Sequence, residues 1–113
     1  MGLFDMFSRD SQANPDEISY EDLVAALASG NIALVDVREP AEYAAGHVAG
    51  AVNLPLSRFD ATNLPQSVPV ILMCKAGGRS AQALAKARAA GHADVRHYKG
   101  GFMGWESHGG KTV

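Results

Sequence analysis

The residue best equipped for chemistry in this chain is its single cysteine, Cys74, in the segment CKAGGRS. The thiolate is the nucleophilic form of cysteine, and a free thiol has a pKa of about 8.5. The residues after Cys74 favour ionisation. Gly77 and Gly78 let a loop curl so that successive backbone N–H groups point inward, which makes an anion-binding nest. A helix expected to begin near Arg79 or Ser80 adds the positive end of its dipole. Lys75 and Arg79 add full positive charge. Such surroundings commonly lower a thiol to roughly 3.5–7.5, so Cys74 is expected to be a nucleophile at neutral pH. The competing reading is a small buried hydrophobe. The VILM run before Cys74 fits that reading. The glycines and cations after it do not, because a strand needs none of them to end.

Alternating strands and helices position this loop. Ser19 and Asp22 form a capping-box pattern with Asp in the Glu or Gln place, and Gly30 closes a helix over Tyr20–Ser29. Ile32 to Val37 is a near-continuous apolar run, as in a buried parallel strand. Pro40 to Ala45 is a short helix with proline in its first turn and Gly46 at its exit. Ala51 to Asn53 is a brief strand. Val68 to Met73 is the strongest strand signal and runs straight into Cys74. Ser80 to Ala90 is an alanine-rich helix closed by Gly91. Val95 to Tyr98 is a strand, and a short helix follows around Trp105. The alternation predicts an α/β fold, a small parallel β-sheet flanked by α-helices on both faces. In such sheets, sites form beyond the carboxyl ends of the strands, where Cys74 stands.

Composition bounds the function. At 113 residues the chain is one domain's worth. Lys plus Arg number 10 against 12 Asp plus Glu, so there is no basic excess and no nucleic-acid partner is expected. One cysteine excludes an internal disulfide and a thiolate zinc cluster. No metal and no cofactor is expected. No run reaches the roughly 18 apolar residues of a membrane span. Met1 to Ser8 lacks the basic flank of a signal peptide, and Met6 stands where myristoylation wants Ser or Thr. The expected location is the cytoplasm, where a lone thiol stays reduced. Residues 1–17 read as a flexible lead-in with a slightly apolar start, 18–108 as the domain and 109–113 as a tail.

The loop resembles the active-site loop of single-domain rhodaneses, the thiosulfate sulfurtransferase family. That loop reads Cys-x-x-Gly-x-Arg-Ser/Thr, and Cys74, Gly77, Arg79 and Ser80 all match. Two further motifs agree in order. Asp36-Val37-Arg38, Glu42-Tyr43, Gly46-His47, Gly50-Ala51 and Asn53-Leu54-Pro55 resemble the family's D-V-R…E-Y-x-x-G-H-I-x-G-A-x-N-I-P signature, with Val48 and Leu54 in isoleucine places. Residues 98–105, YKGGFMGW, resemble its L-x-G-G-x-x-x-W ending, with Tyr98 for Leu.

The resemblance implies a rhodanese-like fold and a persulfide mechanism. Cys74 would take the sulfane sulfur of thiosulfate and pass it to a thiophilic acceptor: cyanide in an assay, a thiol or protein in a cell. Loop residues Lys75, Ala76, Gly77, Gly78, Arg79 and Ser80 would hold the anions, with Lys75 and Arg79 receiving sulfonate oxygens. A neutral loop is more typical of relatives using mercaptopyruvate. Four residues separate Cys74 from Arg79, where phosphatases of this fold have five, so the ring fits sulfur and crowds phosphate. Two rival readings are a persulfide relay to a protein acceptor, docking at the N-terminus or the Lys99 region, and a non-catalytic interaction module.

Other residues are given mainly structural roles. Asp36 and Arg38 are expected to form a buried ion pair at a strand end, with a supporting role at the site as the alternative. Arg58 could overhang the loop or lie on solvated surface. His47 is expected to cap or hydrogen-bond backbone, and Glu42 and Asn53 to be structural. His92, His97 and His108 lack metal spacing and are read as surface or satisfied polar groups. Phe102, Met103 and Trp105 are read mainly as core.

Overall fold

The computed structural model describes residues 14–113. The expectations for Met1 to Ser8, and for the lead-in as far as residue 13, lie outside the described residues. Strands are β1 (Ala33–Asp36), β2 (Val52–Asn53), β3 (Val70–Met73) and β4 (Val95–His97). All pair parallel, in the order β2-β1-β3-β4. Helices are α1 (Tyr20–Ser29), α2 (Pro40–Ala45), α3 (Gly78–Ala89) and α4 (Gly101–Ser107). The α/β class with a small parallel sheet is as the sequence predicts.

Side chains alternate across a strand, and this divides the core in two. Leu34, Ile71 and Met73 face one side, where Leu23 and Ala26 of α1 and Trp105 of α4 pack on them. Val35, Val70, Leu72 and Val95 face the other side, covered by Ala83, Leu84 and Ala87 of α3. β3 is buried along its whole length, which is why its sequence is uniformly apolar. Fully burying one such Leu or Ile stabilises the fold by about 1.5–3 kcal/mol.

Capping follows the sequence closely. Ser19 Oγ accepts from Asp22 N–H at 3.1 Å and Gly30 exits α1 at φ 73°. Pro40 opens α2, and Glu42 accepts from Glu39 N–H at 3.0 Å. The predicted strands are each trimmed by one or two residues, because apolar residues continue past the last paired register. Helix α3 differs more: it starts at Gly78, two residues before the predicted Ser80, because Gly77 alone makes the turn at φ 104°. The link from β2 to β3 contains two unpredicted 3-10 turns, Leu56–Arg58 and Ala61–Asn63. Their apolar residues Leu56 and Ala61 help cover the α3 side of the sheet. At the edges, Asp16 and Glu17 run beside β4, with His97 N–H donating to the Asp16 carbonyl at 2.9 Å. Residues of the tail pair with the chain near Val48, His47 and Val113 exchanging backbone hydrogen bonds of 2.9 and 3.0 Å.

Candidate active site

Alternation along β3 decides where Cys74 points. Val70 and Leu72 face α3, and Cys74 continues that series, so its side chain lies under the first turn of α3 and is 1% exposed. The loop is held from both sides. Phe102 N–H donates to the Cys74 carbonyl at 2.8 Å and Met103 N–H to the Lys75 carbonyl at 3.1 Å. Ala81 N–H donates to the Gly77 carbonyl at 3.1 Å, closing the first turn of α3.

Two glycines make this closure possible. At Gly77 a Cβ would lie 2.7 Å from the Lys99 carbonyl oxygen, and at Gly101 (φ 64°) it would meet the Lys75 carbonyl and lie 2.7 Å from the Cys74 carbonyl. Both have positive φ, which glycine alone adopts at no steric cost.

The geometry gathers donors on the thiol. Gly77 N–H donates to Sγ at 3.1 Å, and Ser80 Oγ lies 3.6 Å from Sγ. Burial alone would push the thiol up. Hydrogen bonds from the Ser80 hydroxyl and from the backbone at Ser80, Gly77 and Ala76 together outweigh it, and the Cys74 pKa falls below its ordinary value.

The two cations are placed differently from expectation. Arg79 does not stand free to serve the thiolate or an incoming sulfonate. Its guanidinium is clamped by Glu42, with Nη1 2.6 Å from Oε1 and Nη2 3.1 Å from Oε2. The fork geometry of guanidinium and carboxylate favours this bidentate pair. The Arg79 hydrogen bonds hold the Glu42 carboxyl well down, at about 2. Glu42 thus both closes the first turn of α2 and neutralises Arg79. Lys75 is exposed and faces another way from its neighbours. It lines a cleft of about 440 Å³ with Arg38, Glu42 and Phe102, whereas Ala76, Gly77 and Gly78 line a cleft of about 580 Å³ with Arg88, His97 and Lys99. The loop forms a ridge between the two.

Asp36 and Arg38 make a buried ion pair, with Arg38 Nη2 2.8 Å from Asp36 Oδ2 and side chains 5% and 0% exposed. Arg38 also donates to the Gly46 carbonyl at 2.7 Å and lies 4.2 Å over the Phe102 ring. Asn53 donates to the Asp36 and Arg38 carbonyls, both at 2.9 Å. His47 stacks on Tyr43 at 3.7 Å, its Nδ1 2.8 Å from the Tyr43 carbonyl. Arg58 ends the first 3-10 turn, exposed, and lines neither cleft.

On the sequence His97 reads as surface or a satisfied polar group; it is 5% exposed and the latter, its Nδ1 2.8 Å from Ser80 Oγ. What that reading missed is that this contact lies one atom from the cysteine. The signal was available. Val95 is the inward residue of β4, and a period of two puts His97 on the same face, toward α3. The pairing of Glu42 with Arg79 was missed for another reason, since the two stand 37 residues apart.

Known proteins match this arrangement. The model of the rhodanese-like domain family matches residues 19–108. An uncharacterised protein of Synechocystis is 40% identical over 84 residues, covering 73% of this chain and 47% of that protein. The chain therefore spans about half the length of that curated relative. The thiosulfate:glutathione sulfurtransferase of Saccharomyces cerevisiae is 32% identical, with 89% of this chain and 85% of that one covered. The structure of a human single-domain sulfurtransferase superposes with a TM-score of 0.74 at 30% identity, covering 81% of this chain and 96% of that one. The chain belongs to the rhodanese-like domain family. Among the described residues, no helix is long and apolar enough to cross a membrane.

Proposed function

We propose that the protein moves the sulfane sulfur of thiosulfate to a thiol or protein acceptor through a persulfide on Cys74. The observation that carries this reading is the hydrogen-bonded thiol: Gly77 N–H at 3.1 Å and Ser80 Oγ at 3.6 Å around a buried Sγ of lowered pKa.

The Cys74 thiolate attacks the outer sulfur of thiosulfate. The new Sγ–S bond forms as the S–S bond of thiosulfate breaks, and sulfite leaves with that electron pair. The acceptor, as thiolate or cyanide, then attacks the outer sulfur. The Sγ–S bond breaks and Cys74 returns as thiolate. This is two-step nucleophilic catalysis. Thiolate and persulfide are both anions, so the preformed donors of Ala76, Gly77 and Ser80 can serve both.

Thiosulfate is favoured as donor because Arg79 and Lys75 flank the loop, and because a similar protein in yeast is named for that donor. Arg79 must exchange Glu42 for the sulfonate, and the sulfonate is equally suited to a bidentate fork. Asp36 and Arg38 support the site by fixing the end of β1, while Arg58 is left to the solvated surface. A lone reduced thiol is suited to the cytoplasm.

The test is direct. After incubation with thiosulfate, the intact mass is expected to rise by one sulfur atom, and cyanide is expected to remove it. The Cys74→Ser variant is expected to gain none. A wild-type protein that gains no sulfur would sink the proposal. Ready gain with very slow loss to cyanide would instead point to relay toward a protein acceptor.

A further inference from the structure

When Cys74 ionises, its proton must leave a side chain that is 1% exposed. Sγ lies 3.6 Å from Ser80 Oγ, which is itself fully buried and 2.8 Å from Nδ1 of His97. His97 is 5% exposed and lines the larger cleft. No buried side-chain nitrogen or oxygen among the described residues lacks a partner. The Nε2 edge, which has no protein partner among them, is therefore the one that meets the cleft.

The Ser80 hydroxyl has one proton and two other acceptors in reach, Nδ1 and the Gly77 carbonyl at 3.2 Å. A carbonyl only accepts. An imidazole can accept at one nitrogen and, as the other tautomer, donate from it. His97 can thus take the Ser80 proton while Cys74 is a thiol, and donate to Ser80 when Ser80 must donate to a thiolate. The charged groups around His97 are Asp16 and Glu17 beside β4, Arg88 on α3 and Lys99 just past β4. Burial outweighs the two acids and keeps the ring neutral to lower pH than usual, with Lys99 and Arg88 acting the same way.

We propose that Ser80 and His97 form a proton path from Cys74 to the cleft. The Cys74 S–H bond breaks as an O–H bond forms on Ser80. The former Ser80 O–H bond breaks as an N–H bond forms at Nδ1 of His97. The Nε2–H bond then breaks and its proton passes to water. The sum is thiol to thiolate plus one proton in solvent, with nothing oxidised or reduced. His97 acts through Ser80 and is a positioning residue. The proposal rests on the reading above only in taking the thiolate as the working species.

The test follows the His97 tautomer by nitrogen NMR of the 15N-labelled full chain across pH, beside the pH profile of Cys74 alkylation by iodoacetamide. His97 is expected to carry its proton on Nε2 below the alkylation midpoint and on Nδ1 above it. Cys74→Ala is expected to abolish the switch. Ser80→Ala is expected to abolish it while Cys74 still titrates. His97→Asn, which keeps a hydrogen bond to Ser80, is expected to slow alkylation at pH 6 by about three- to tenfold, the effect of roughly half to one pKa unit, and to leave the high-pH plateau unchanged. An unchanged tautomer across the Cys74 titration would overturn the proposal, as would an imidazolium at the midpoint or a switch that survives in Cys74→Ala. Sulfur gain is measured separately, so loss of the sulfurtransferase reading and loss of the proton path are told apart.

Discussion

Arg79 illustrates how little a residue's charge says until its partner is known. On the sequence it is a cation beside a thiol. In the fold its guanidinium is engaged by Glu42, and the thiol is served chiefly by Ser80 and the loop amides. Two substitutions separate the possible roles. Arg79→Ala is expected to lower kcat/KM for thiosulfate by at least about tenfold, the loss of a charge-assisted hydrogen bond of roughly 1.5–3 kcal/mol; Lys99→Ala is expected to cost far less. Glu42→Gln should release Arg79 and leave thiosulfate use equal or better. If steady-state kinetics show Glu42→Gln as damaging as Arg79→Ala, Arg79 serves the fold and not the donor.

Glu42 also sets a pH dependence. Its carboxyl falls from an ordinary 4.5 to about 2 in the folded chain. The unfolded chain therefore binds more protons between these values, and stability falls with acid there. The contribution is complete above pH 4.5 and lost as pH drops toward 2. The pair is one-third exposed, so solvent screening limits it to about 1 kcal/mol or less. Denaturant titrations of Glu42→Gln should show a shallower acid loss than wild type across that window. Equal slopes would remove the pair from the stability account.

At the scale of elements, the site is a junction of three: the end of β3, the start of α3 and the start of α4. The α4 contribution depends on Gly101, whose missing side chain admits the Lys75 and Cys74 carbonyls. Gly101→Ala is expected to destabilise the protein by about 2 kcal/mol or more, from a strained positive φ and a backbone collision. It should also weaken the thiolate preference by shifting the loop. The denaturation midpoint and the alkylation rate check both effects. An unchanged midpoint would show that α4 does not set the loop. The Asp36–Arg38 pair plays the matching part at the end of β1, joined to the β2 side by Asn53.

For the whole molecule, local patterning made the architecture legible. Apolar runs marked the strands, and Ser19, Gly30 and Pro40 marked helix ends within a residue. The family resemblance then tied those elements to a chemistry. The 3-10 turns stayed hidden because Leu56 to Asn63 carries no continuous apolar run of the kind that marked the strands. The contacts that decide charge at the site, Glu42 with Arg79 and His97 with Ser80, join distant segments. Their spacing carries no signal until the sheet order brings the segments together. Cys74 itself was legible because its strand, its turn and its helix are consecutive in the chain.

Buried donors hold an anionic sulfur at Cys74, and the pH dependence of its alkylation is the sharpest check of this. A half-maximal rate is expected at a pH below that of a free thiol, about 8.5, in line with the lowered pKa. A midpoint at or above the free-thiol value would contradict it.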